Sequence, residues 1–200
     1  MNLLSLNRTE FGDSANEDNV PSKAEAEKLL NEWVHSDSLK RHMRQVGALM
    51  KAWAQEKENL PTEEQLKWEL AGLLHDADWD QWPEQHCRKI IEELERREVA
   101  PSIIRAIASH GPSHFGVEPK SSIDKMLYAF DELSGLIHAY SLMRPTGYED
   151  MQPKGVKKRL KDKSFAAQVS REEIKDASQR AEVDLTELIT FIIHHQAEVQ

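Results

Sequence analysis

From Lys23 onward, apolar residues recur every three or four positions, the spacing that lines one face of an α-helix. Ala24, Ala26, Leu29, Leu30 and Trp33 predict a first helix over about 23–34. Ser36 or Asp37 can cap a second, over about 38–56, with Val46, Leu49 and Trp53 on its inner side. Pro61-Thr62-Glu63-Glu64 opens a third, running to about Asp76, because proline and acids suit a first turn. Pro83-Glu84 opens a fourth, to about Arg97, and Pro101 a fifth, ended by Gly111-Pro112. Ser121 and Asp124 have capping-box spacing for a sixth, to about Met143. Pro145, Gly147 and Pro153 then break the pattern. A basic segment near Val156–Lys163, a helix from about Arg171 and a last one near 184–198 follow. Residues 1–22 are polar and unpatterned up to Pro21, and read as a flexible leader. Strand-like β-branched runs and Asn-Gly turns are absent, so the expected class is all-α.

Composition narrows this little. The chain has 200 residues, 39% hydrophobic and 30% charged, which suits one globular domain with a small appendage. No apolar run approaches the ~20 residues of a membrane helix. The first residues lack the basic start and apolar centre of a signal peptide. The lone Cys87 excludes an internal disulfide and a cysteine-rich zinc site. It fits a reducing compartment, so the expected location is cytoplasmic. A net charge of −9 argues against a nucleic-acid partner.

The helical pattern acquires chemistry where polar groups fall on apolar faces. His42 shares a face with Val46, Leu49 and Trp53. His75-Asp76 closes the run of Leu70, Leu73 and Leu74. His110 follows Ile103 and Ile107, and Asp131 lies on the row of Ile123 and Leu127. One inward histidine is ordinarily a satisfied core hydrogen-bonder. Four helices each aiming a histidine or aspartate inward are better explained by a divalent cation, which neutralises the aspartates and takes imidazole and carboxylate as ligands.

In this order, His42, His75-Asp76 and Asp131 resemble the H…HD…D signature of the HD-domain superfamily of metal-dependent phosphohydrolases. LKRHMRQVGALMKAWA, ELAGLLHDADW and SSIDKMLYAFDELSGLI look like its three ligand-bearing helices. The stretch RPTGYEDMQPKGVKKRLKDKSFAAQVSRE resembles a bacterial subgroup of predicted hydrolases. The resemblance implies an HD-type helical bundle over 23–145, with residues 146–200 as a helical extension packed on it. It implies a first metal held by His42, His75, Asp76 and Asp131. It implies a second held with His86 and His110, which lie between the HD pair and Asp131; His114 is a rival on a loop. Otherwise His86 and His110 would meet substrate phosphate or a water.

Mixed His/Asp ligation suits Fe, Mn, Co, Ni or Zn, one or two ions per chain. Such an ion lowers the pKa of water from ~15.7 toward ~7 and polarises a phosphoryl oxygen. The expected substrate is a small phosphate ester, a nucleotide or related metabolite. Asp76, able to bridge two ions, and Lys125, able to meet phosphate, are the expected catalytic groups. An HD-type di-iron oxygenase, or a non-catalytic nucleotide-binding or interaction module, are the alternatives. Asp78 and Asp80 either orient a ligand or cap the next turn. Trp79 and Trp82 read as core, with a pocket wall as the alternative. Lys154, Lys157, Lys158, Arg159, Lys161 and Lys163 form a basic run in an acidic chain. Of these, Lys157, Lys158 and Lys161 are expected near the pocket mouth, binding a phosphorylated substrate.

Overall fold

The computed structural model describes residues 5–199. All regular structure among them is helical: α1 (Lys23–Trp33), α2 (Asp37–Glu56), α3 (Thr62–Leu74), α4 (Arg88–Arg96), α5 (Pro101–Ala108), α6 (Pro112–Phe115), α7 (Ser122–Leu142), α8 (Pro153–Lys161), α9 (Arg171–Ala181) and α10 (Leu185–Gln196). Among the described residues no helix is long and apolar enough to cross a membrane.

The centre is the pair α2 and α3, with α7 packed on α2 and α5 lying against both α3 and α7. Two glycines set how closely α2 and α3 approach. A Cβ on Gly72 would lie 2.8 Å from the Gly47 backbone, and one on Gly47 would lie 3.0 Å from the Glu69 carbonyl oxygen. Removing both side chains lets the helix backbones touch. His42 and His75 then stand with ring centroids 5.3 Å apart. Leu70, Leu73, Leu74, Val46, Leu49 and Met50 fill the buried seam. The long α7 starts as its sequence suggests: Asp124 accepts from the backbone N–H groups of Lys120 and Ser121.

Two segments depart from their expected form. The fourth helix does not begin at Pro83. Pro83–Gln85 forms a single 3₁₀ turn, and α4 begins only at Arg88. The side chain at the cap position, Cys87, makes no capping bond. Instead Asp78, twelve residues back, accepts from Ile90 N–H at 3.0 Å. A long-range cap of this kind has no local sequence signature.

Residues 5–22 are not a free leader but a strap along the domain; residues 1–4 lie outside the described residues. Leu6 and Phe11 are buried. Arg8 makes a two-pronged bond to Glu95, Glu17 accepts from Ser102, and Asn19 donates to the carbonyls of Arg97 and Glu98. Two apolar anchors in a polar stretch give no periodicity, so the sequence pattern hid them. At the other end, α9 and α10 pack on α7, and α8 joins α7 and α10 through buried Val156.

Candidate metal centre

Five segments bring six side chains to one place. His42 comes from the second turn of α2 and Asp131 from the middle of α7. His75 and Asp76 follow the last residue of α3. His110 follows α5, and His86 sits in the link before α4. They form two groups with ligand atoms close enough to hold an ion: His42, His75, Asp76 and Asp131 in one, Asp76, His86 and His110 in the other.

Asp76 belongs to both, one oxygen to each. Its Oδ2 lies 3.5 Å from His75 Nε2 and 4.0 Å from His42 Nε2. Its Oδ1 lies 3.3 Å from His86 Nε2 and 3.6 Å from His110 Nε2. Asp131 Oδ1 completes the first group, 3.0 Å from His42 Nε2 and 3.4 Å from His75 Nε2.

The three buried rings are anchored on the far side. His75 Nδ1 faces the Gly72 carbonyl at 2.8 Å, and His110 Nδ1 faces the Ile107 carbonyl at 2.5 Å. His86 Nδ1 faces Asp78 Oδ1 at 2.6 Å. Carbonyls and carboxylates only accept, so each Nδ1 carries a proton, and in the neutral ring each Nε2 turns a lone pair inward. The consequence is visible between His86 and His110. Their Nε2 atoms lie 3.3 Å apart beside Asp76, so in the neutral rings two lone pairs face each other. His75 Nε2 is fully buried and makes no hydrogen bond. Imidazole nitrogens turned toward carboxylates, each ring backed by a fixed second partner, fit a cation held between them.

Electrostatics agree. Burial alone would lower the His75 imidazole, but Asp76 and Asp131 overcome it and raise the group to about 9. Burial alone would raise the two aspartates; His75 beside them holds both well below the usual carboxylate range. The cluster thus keeps its carboxylates ionised and draws positive charge, which without a metal ion is a proton on His75.

These groups open on a cavity of about 530 Å³, within the ~300–1,000 Å³ of small-molecule sites. Its further walls are Trp79, Gly111, His114, Phe115, Glu132, Gly135, Gln168 and Glu173. Trp79, 36% exposed, sets its ring against His86 at 4.9 Å, so it is a wall rather than core. Trp82 instead packs edge-on against Trp33. Asp78 both orients His86 and caps α4, while Asp80 accepts from the backbone of His35 and Ser36 at the start of α2.

Residues 39–136 match the family model for the HD domain. The chain carries an HD domain. The match spans both ligand groups and stops short of Gln168 and Glu173. No curated protein and no solved structure matches the chain. HD domains bind divalent metals and are typically metal-dependent phosphohydrolases, and the histidine–aspartate groups here could hold such ions.

Four lysines expected at the site are not on its walls. Lys125 lies six residues before Asp131 on α7, ~9 Å along the axis and turned to another face. Lys157, Lys158 and Lys161 line a different hollow with Pro153, Lys154 and Thr186, and Lys157 donates to Thr186 Oγ1 at 2.6 Å. The reason is the amphipathic packing of α8. Val156 anchors it to α7 and α10, which turns the lysine face away from the metal cavity. The C-terminal part reaches the cavity through Gln168 and Glu173 instead. Both were missed, as was Glu132. Glu172-Glu173 after Ser170 reads simply as the acidic first turn of a capped helix, which it also is. Glu132 Oε2 accepts from Ser170 N–H. Burial, then Asp131 and Glu173, push its carboxyl up to about 8.

Proposed function

We propose that this protein is a metal-dependent phosphohydrolase that binds two divalent transition-metal ions and acts on a small phosphate ester. The observation that carries the reading is Asp76, whose two oxygens face two separate ligand groups. His42, His75, Asp76 and Asp131 would hold the first ion, and Asp76, His86 and His110 the second. Bound there, such ions supply Lewis acidity, lowering the pKa of water from ~15.7 toward ~7 and neutralising charge on a phosphoryl group.

The chain's own residues do the rest. The Nδ1 anchors fix the three buried imidazoles in one tautomer, so no reorientation precedes binding. Asp76 sets the spacing of the two groups. Buried Phe115, its ring 5.3 Å from His86 and 5.0 Å from His110, keeps bulk water from the histidine side, which strengthens every charge interaction inside. Trp79 and Phe115 offer flat apolar surface beside the second group.

The test is metal analysis of protein purified without chelator, paired with phosphate-release assays under Mn, Fe, Co, Ni and Zn. Phosphate release that disappears on chelation and in Asp131→Ala supports the reading. The paired groups also suit a di-iron oxygenase. Oxygen consumption with iron, and no phosphate release under any metal, would favour that instead.

A further inference from the structure

The cavity walls hold no lysine or arginine. Apart from histidines, nothing on the walls therefore offers a cation to a second anionic group on a substrate. His114, the one wall histidine outside the ligand groups, turns Nε2 to within 3.3 Å of Glu173 Oε1. What the walls do offer, beyond the ligand groups, is acceptors. Glu132 uses Oε2 on Ser170 N–H, and Glu173 uses Oε1 on Ser113 Oγ. Among the described residues nothing donates to Glu132 Oε1 or Glu173 Oε2. Glu132 comes from α7 directly after Asp131. Glu173 comes from α9, and Gln168 from the turn before it. Between them, one turn past Asp131 on α7, stands Gly135. A Cβ there would meet nothing within 4 Å, so this wall is open space beside a ligand residue.

We infer that the wall formed by Glu132, Gly135, Gln168 and Glu173 selects a phosphate monoester whose far end donates hydrogen bonds and carries no second anionic group. This rests on the phosphohydrolase reading above, and it names the substrate class for that site. The phosphate supplies the negative charge, and the metal groups are the only cations to meet it. A hydroxyl or ammonium at the far end pairs with the free oxygen of Glu173, which acts as an acceptor. A substrate lacking that donor leaves this acceptor desolvated and unpaired, which a site built to hydrogen-bond discriminates strongly. A second carboxylate or phosphate on the substrate would face Glu173 with like charge and no cation to offset it.

Four probes separate these demands: phenyl phosphate has no far-end donor, glycerol phosphate has hydroxyls, phosphoethanolamine has an ammonium, and phosphoglycerate has a carboxylate. With the metal that gives the best turnover, glycerol phosphate or phosphoethanolamine should exceed phosphoglycerate in kcat/KM by about tenfold or more. The better of the two identifies the donor. Glu173→Gln removes the charge at constant size. It should shrink that gap to roughly threefold, chiefly by lowering KM for phosphoglycerate. Raising salt on the wild-type protein should shrink the gap too, a readout that needs no variant. Phosphoglycerate turned over as well as glycerol phosphate, or a gap unmoved by both Glu173→Gln and salt, would overturn the inference while leaving phosphohydrolysis intact. Failure to release phosphate from all four probes under every metal would instead sink the phosphohydrolase reading, and this inference with it.

Discussion

Asp78→Asn tests whether the second ligand group is built by its backing partner. Asp78 is fully buried and uses both oxygens: Oδ1 on His86 Nδ1 at 2.6 Å, Oδ2 on Ile90 N–H at 3.0 Å. Asparagine keeps the shape but has one acceptor. If its oxygen stays on Ile90 N–H, its amide donates to His86 Nδ1. The ring proton then moves to Nε2, facing Asp76 Oδ1, and the lone pair needed for an ion is gone. If the amide flips, two N–H groups face each other at the start of α4. Loss of such a backing partner costs 10–100-fold in metal affinity, or ~1.4–2.7 kcal/mol. A buried unsatisfied donor costs ~1–3 kcal/mol, and in chelator that lowers the Tm of a chain this size by roughly 2–12 °C. Chelator-competition titration resolves the two binding steps. One step should weaken by that factor, and the step owned by His42, His75 and Asp131 should stay within about threefold. Wild-type affinity at both steps in a folded Asp78→Asn protein would refute the argument.

Gly72→Ala should cost about 1–3 kcal/mol, because its Cβ meets the Gly47 backbone at 2.8 Å and backbone cannot step aside cheaply; thermal melts read the loss. It should also weaken metal binding by parting His42 from His75, whereas unchanged melting would mean that the helix contact is slack. In chelator, the raised His75 group contributes stability that is fully present below pH 6.5 and is lost as pH rises through about 9. The lowered Asp76 and Asp131 contribute stability that is present above the ordinary aspartate value of 3.8 and is lost as pH falls below it. Melts of metal-free protein should therefore be highest between these limits. Added metal should protect most at alkaline pH, since ligation needs neutral imidazole. Metal-free stability that stays flat from pH 6.5 to 9 would contradict this.

What was legible in the sequence was what local spacing controls. The positions of α2, α3, α5 and α7 follow from apolar periodicity and from proline and Ser/Asp caps, and they carry five of the six clustered side chains with them; His86 lies in the link before α4. Asp78 suits either orienting a ligand or capping the next turn, and the fold uses it for both, one oxygen each. What stayed hidden was long-range. Ile90 is capped from Asp78, so α4 starts five residues after Pro83. Leu6 and Phe11 anchor a strap that has no period. Glu132 and Glu173 meet in the cavity only because α9 packs on α7. The basic run misled because charge contrast says nothing about direction, and Val156 points the lysines of α8 elsewhere.

Counting bound ions shows whether Asp76 is shared by two metal groups. Metal per chain should be measured after saturation and removal of excess, for wild type, His42→Ala, His110→Ala and Asp76→Ala. The account predicts two ions in wild type, about one in each histidine variant, and the weakest retention of all in Asp76→Ala, because that change strips a ligand from both groups at once. A single ion in saturated wild type, or an Asp76→Ala protein that holds metal as wild type does, would contradict it.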